Sequence, residues 1–175
     1  MQIRQANPGD VPRLAALLSD MQAHYGSPDP PGGAAAMARL MTRPGERLPF
    51  ALIADAGGPL LGLASLSPVL FGAAFQWELF LKDLYVTEAA RRRGVGRALL
   101  AAAARVALEQ GYCRIDWTTD GRNDGAQRLY DRLGVPRQDK RFYRLSGDHL
   151  AKLAQGCATS SCTTTTSPTS PRRRG

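Results

Sequence analysis

Arg91, Arg92, Arg93, Gly94, Val95 and Gly96 stand between a β-rich apolar run (LFLKDLYV, from Leu79) and an Ala/Leu-rich run of helical character. These residue types at this spacing suit a phosphorylated ligand. The first N–H groups of a helix have no intrahelical partner, and the macrodipole adds about half a positive charge there. Amides converging on one small volume hold a diphosphate. Gly94 and Gly96 let the main chain approach without an intervening Cβ. Arg91, Arg92, Arg93 and Arg97 supply cations at the rim. Three arginines alone would read as a solvated loop. The strand before them and the helix after them favour the ligand. A dinucleotide fingerprint would need a third Gly at the position of Leu99, and a Walker loop would need Gly-Lys-Ser/Thr, which is absent.

The motif Arg-x-x-Gly-x-Gly at 91–96 is followed by Asn-x-x-Ala-x-x-x-Tyr-x-x-x-Gly, carried by Asn123, Ala126, Tyr130 and Gly134. Together they resemble the GCN5-related N-acetyltransferases (GNATs), over about residues 1–150. The resemblance implies an α/β GNAT fold. Its central sheet would be mixed and mostly antiparallel, flanked by helices and parallel around the coenzyme cleft. It implies acetyl-CoA as cosubstrate, held by Leu84, Tyr85, Val86, Arg91, Arg92, Arg93, Gly94, Val95, Gly96, Arg97, Asn123 and Tyr130. A β-bulge in the strand before the loop would bare the Leu84 N–H for the acetyl oxygen. The Val86 N–H and C=O would serve pantetheine, and Asn123 would bond the pantetheine arm. Tyr130 would be the acid for the leaving thiolate, a proton transfer within a phenol's chemistry. For the base, Asp83 is first, beside the acetyl site, with Glu78 and Asp116 as further candidates. His24, Tyr25, Glu78, Lys82 and Asp83 are the residues expected to meet the acceptor.

A narrower resemblance links LKDLYVTEAARRRGVG, the Trp117 region, Tyr130 and RFYRLSGDHL to the diamine (spermidine/spermine) acetyltransferase branch. That branch has Leu-Glu-Asp where this chain has Leu81-Lys82-Asp83. Strand alternation is expected to turn Lys82 and Asp83 to opposite faces, so that only one meets the acceptor. A Lys82 facing it would repel a polycation. The expected function is acetyl transfer from acetyl-CoA to a primary amine of a small molecule, a diamine, polyamine or amino-acid-like compound. An aminoglycoside or a protein amine is the alternative within the fold. From other classes, a basic nucleic-acid-binding module leaves the glycines, Asn123 and Tyr130 unexplained, and a sensor would bind acyl-CoA without turnover. Nucleic acid is therefore not the expected partner. A homodimer is expected by resemblance alone.

The net charge of +8 includes Arg172, Arg173 and Arg174, so residues 1–155 carry +5, several of them at the loop. A hydrophobic fraction of 43% is enough for a core. No apolar run approaches the ~20 residues of a membrane span, and the first residues have no signal-peptide hydrophobic region. Three cysteines do not suggest a disulfide framework. Cys157 and Cys162 lack a second ligand pair, so no metal is expected. A cytoplasmic setting fits this usage.

The elements that must position these groups are read as follows. A strand spans residues 2–6. A helix capped by Asp10 carries Val11, Leu14, Leu17, Leu18 and Met21 on one face. A second helix spans 34–43 and strands span 50–54 and 60–66. Residues 67–76 connect to the central strand. A long helix spans 95–110, packing Leu99, Ala102, Ala103 and Val106. A strand at 113–118, a helix at 123–133, a strand at 140–145 and a helix at 148–155 follow. Residues 1–155 would form the domain. The low-complexity tail 156–175 cannot bury a core and is expected to be disordered.

Overall fold

The computed structural model describes residues 1–71 and 75–158. The described residues divide into two compact units, Met1–Val135 and one that begins at Pro136. Arg172, Arg173, Arg174 and Cys162, and the tail from residue 159 on, lie outside the described residues.

The first unit is built on a five-stranded sheet of order β1-β2-β3-β4-β5. The strands are β1 (Gln2–Gln5), β2 (Phe50–Asp55), β3 (Gly62–Phe71), β4 (Gln76–Val86) and β5 (Ile115–Asp116). The first four pair antiparallel and β4 pairs with β5 parallel, the mixed sheet expected from sequence. Helices α1 (Val11–His24) and α2 (Gly33–Met41) cover one face, burying Leu14, Leu17, Leu18 and Met21 with Ile53 and Leu63. Helix α3 (Val95–Glu109) covers the other, burying Val95, Leu99, Ala102, Ala103 and Ala107 against Leu66, Leu79 and Leu81. Each large side chain removed from water here stabilises by about 1.5–3 kcal/mol. Helix α4 (Asp124–Arg132) follows β5.

Two local expectations change in this unit. Asp10 stands at the N-cap of α1, but its side chain makes no capping bond there. Asn7 caps the 3₁₀ turn Pro8–Asp10, and Asp10 accepts from the Asn7 N–H and from Arg4. The residues from 67 on are not a connection, because β3 continues to Phe71 and pairs with β4 along its length. Pro68 is tolerated because it faces Leu79, whose N–H turns away to the Arg114 carbonyl at 3.0 Å. No ladder bond from Pro68 to β4 is needed there, and β2 pairs with β3 only as far as Leu66.

In the second unit, helix α5 (Gly147–Ala158) extends beyond the expected Gln155. The strand expected at 140–145 does not form; those residues have no regular structure, and Phe142 and Tyr143 are exposed. Strand propensity is realised only where a neighbouring strand supplies the ladder. This segment has none among the described residues.

Candidate active site

The register between β3 and β4 slips at one place. Asp83 faces Ser65 and Leu81 faces Leu66, leaving Lys82 as an extra residue, a β-bulge. The flanking burial shows its effect. Leu81 and Leu84 pack toward α3, and both Lys82 and Asp83 turn to the other face. Lys82 and Asp83 line the same cavity, which corrects the expectation that alternation separates them. The bulge expected in the strand before the loop falls at Lys82, two residues before Leu84.

Backbone direction follows from the same ladder. The Thr87 N–H donates to the Leu61 carbonyl at 3.0 Å, so Tyr85 and Asp83 turn their backbone groups toward β3. Leu84 and Val86 then present theirs to the opposite edge. The pairing described between β4 and β5 covers only Leu79 with Ile115 and Phe80 with Asp116. The Leu84 and Val86 amides therefore open into the gap where these strands part. The Val86 carbonyl accepts from Arg91 Nε at 3.2 Å.

Helix α3 begins at this gap. Its first i→i−4 bond joins the Ala98 N–H to the Gly94 carbonyl at 3.0 Å, so the amides of Val95, Gly96 and Arg97 have no partner within the helix. Gly94 is the N-cap, with φ +80°. Arg92 has φ +60°, an uncommon conformation for a residue with a Cβ. Gly96 serves packing: a Cβ there would lie 3.3 Å from Leu129 Cδ2 of α4. Arg91, Arg92, Arg93 and Arg97 are all exposed. Unpartnered amides, a helix dipole and four cations form an anion-binding surface that fits a diphosphate.

Tyr130 lies on α4, half-buried, with its ring edge-on to Trp117 at 5.2 Å between centroids. Burial, and to a lesser extent Tyr25, raise its pKa above the ordinary tyrosine value. The phenol thus keeps its proton at neutral pH, as an acid must. Asn123 is the N-cap of α4; its Oδ1 accepts from the Ala126 N–H at 3.1 Å, so its amide NH2 is the group able to donate outward.

The cavity of about 780 Å³ lies under α1 and α2. Ser65, buried at its floor, donates from Oγ to Asp83 Oδ2 at 2.6 Å and accepts from the Asp83 N–H at 3.0 Å. This fixes the Asp83 carboxylate at the cavity wall. Tyr25 lines the cavity. His24 does not; it meets the guanidinium of Arg91, with Nε2 3.1 Å from Nη2. Two further expectations are met differently. Tyr85 is buried under α1 and donates its hydroxyl to Asp20 Oδ2 at 2.7 Å, so its ring does not face the helix α3 side. Glu78 is buried in an ion pair with Arg114 at 2.6 Å, away from the cavity, and Asp116 lies 3.3 Å from the same arginine. Sequence reasoning missed Ser65 and Asp20. Neither stands in a motif, and only strand pairing and helix packing show their partners.

The chain belongs to the acetyltransferase (GNAT) family, whose sequence profile matches residues 14–135. It is an acetyl-CoA-dependent N-acetyltransferase by that membership. It is 30% identical over 134 residues to YhfO of Bacillus subtilis, an uncharacterized N-acetyltransferase, across 77% of this chain and 89% of that protein. Over 69 residues it is 41% identical to the D-amino-acid N-acetyltransferase HPA3 of Saccharomyces cerevisiae, a match spanning 39% of this chain and 42% of that one. Its fold is similar to the solved structure of AAC(6')-Iy in complex with a bisubstrate analogue, with TM-score 0.68 and 25% identity, over 83% of this chain and 98% of that one. Among the described residues, no helix is long and apolar enough to cross a membrane, and no group of three or more His, Cys, Asp or Glu could hold a metal ion.

Proposed function

We propose that this enzyme acetylates the primary amine of a small molecule bound in the cavity beside β4. One observation carries this: the Leu84 and Val86 backbone groups open at the N-terminus of α3, and the same strand turns Asp83 into the cavity on its other face. Donor and acceptor sites thus meet along three residues of β4.

The unpartnered amides of Val95, Gly96 and Arg97, with the arginines of the loop, hold the diphosphate of acetyl-CoA. The Val86 N–H and C=O align pantetheine, and Asn123 donates to it. The Leu84 N–H takes the charge that develops on the acetyl oxygen, a contribution typically worth ~3–4 kcal/mol. Asp83 Oδ1 takes the amine proton, directly or through water. The amine nitrogen bonds to the acetyl carbon as the carbon–sulfur bond breaks and sheds its second proton to solvent, while Tyr130 gives its proton to the thiolate and is reprotonated from solvent. The acceptor is a diamine or polyamine, the class that the sequence resemblance to the diamine branch implies, or an amino-acid-like amine, with an aminoglycoside or a protein amine as the alternative. The same resemblance adds a homodimer, for which light scattering is the measurement, and the cysteine usage adds a cytoplasmic setting.

The test is release of free CoA thiol from acetyl-CoA with a panel of amines. Turnover with at least one small amine is expected, with thermal stabilisation by acetyl-CoA alone. No stabilisation well above micromolar acetyl-CoA would overturn the coenzyme site.

A further inference from the structure

We infer that the acceptor is a zwitterion, an amino acid with a large apolar side chain, and that Lys82 selects its carboxylate. This rests on the acetyltransferase function proposed above. The β-bulge at Lys82 is the first observation. A regular strand would turn either Lys82 or Asp83 away; the extra residue turns a cation and a carboxylate, adjacent in sequence, to one cavity wall. An α-amino acid presents its ammonium and carboxylate at similarly close range. Asp83 is held by Ser65 through Oδ2, and it lines the cavity that the ammonium would enter. Lys82 is exposed and free to swing onto the carboxylate.

The rest of the cavity agrees. Its charged lining is balanced, Lys82 and Arg43 against Asp83 and Asp29. A site for a polyamine or an aminoglycoside needs an excess of carboxylates, because several ammonium groups must be met at once. Asp29 is itself engaged, accepting from Ser19 Oγ at 2.6 Å. The walls are otherwise largely apolar, from Leu18, Met21, Met37, Met41 and Tyr25. Methionines adapt to irregular shapes, so the wall accommodates a range of aliphatic and aromatic side chains.

The experiment compares kcat/KM for phenylalanine, leucine and methionine with that for phenethylamine, phenylalaninamide, spermidine and an aminoglycoside, using thiol release. Phenylalanine should exceed phenethylamine by about twofold to fivefold, the size of one partly exposed charge pair. Lys82→Glu should abolish or reverse that ratio, and Lys82→Arg should keep it. Equal or better use of phenethylamine, spermidine or the aminoglycoside by the unaltered enzyme overturns the zwitterion while leaving acetyl transfer intact. So does a ratio that Lys82→Glu leaves unchanged. Thiol release with none of the acceptors overturns the small-amine acetyltransferase function itself, and the zwitterion with it.

Discussion

Arg91 joins two elements that belong to different halves of the site. Its Nε donates to the carbonyl of Val86, at the end of β4, and its Nη2 lies 3.1 Å from Nε2 of His24, at the end of α1. The Val86 carbonyl is the group proposed to align pantetheine, so the Arg91 side chain stands beside the coenzyme's place. The coenzyme's phosphates, at the N-terminus of α3, are its natural partner. Arg91→Ala should therefore raise the acetyl-CoA dissociation constant by about twofold to fivefold at low salt, as expected for an exposed cation. The difference should shrink at high ionic strength. Calorimetric titration at two salt concentrations measures it, and an unchanged affinity at low salt would remove Arg91 from the coenzyme site.

Tyr130→Phe separates proton transfer from packing. The ring stays against Trp117 and the hydroxyl is lost. With Tyr130 as the acid, kcat should fall by about a hundredfold or more, with acetyl-CoA affinity nearly unchanged. Because burial and Tyr25 raise the phenol's pKa, the unaltered enzyme should not lose activity through this group until the pH exceeds about 10. A pH profile of kcat tests this, and a variant with full kcat would assign the proton to another donor.

The coenzyme half of the site was legible in the sequence because its physics is local. A strand, a glycine turn and a helix N-terminus are contiguous from residue 79 on, and the amides of Val95, Gly96 and Arg97 follow from helix geometry alone. The acceptor half was not, because it depends on register. A single extra residue at Lys82 reverses the facing of everything beyond it, and no residue type announces it. Ser65 reaches Asp83 across 18 positions and Asp20 reaches Tyr85 across 65, contacts that only the folded sheet creates. The cost of Pro68 depends on pairing in the same way, being set by which edge of β3 carries a neighbour at that position.

Gly94 and Gly96 should fail differently when replaced by alanine. At Gly94, φ is +80° and nothing lies near a new Cβ, so the penalty is backbone strain of about 1–2 kcal/mol. At Gly96 a Cβ meets the end of the Leu129 side chain at 3.3 Å, which can yield, and helix propensity gains up to ~1 kcal/mol. Gly96→Ala should leave the melting temperature within a few degrees while displacing α4, and with Leu129 its neighbour Tyr130. Its loss should appear in kcat. Gly94→Ala should lower the melting temperature more. The reverse order of thermal effects would contradict the assigned roles.

Acid stability should be governed by a cluster far from the cavity. Arg4 contacts Asp10 at 2.6 and 2.7 Å and Asp55 at 2.7 Å, and Arg13 contacts Asp55 at 2.5 Å, tying β1, α1 and β2 together. Hydrogen bonding from Arg4 lowers the Asp10 pKa, and Arg13 with the Gly57 amide and Arg4 lowers that of Asp55. A carboxylate with a depressed folded pKa binds fewer protons folded than unfolded, so its stabilisation is complete above the unfolded value of about 4 and is lost as pH falls through the folded value. The urea midpoint should be nearly flat from pH 7 to 5 on this account and drop steeply below pH 4. Arg4→Met lets the Asp10 and Asp55 pKa values rise toward the ordinary range, so its midpoint should be lower at pH 7 and less sensitive to acid. Parallel midpoint–pH curves for the two proteins would show that these carboxylates do not control acid unfolding.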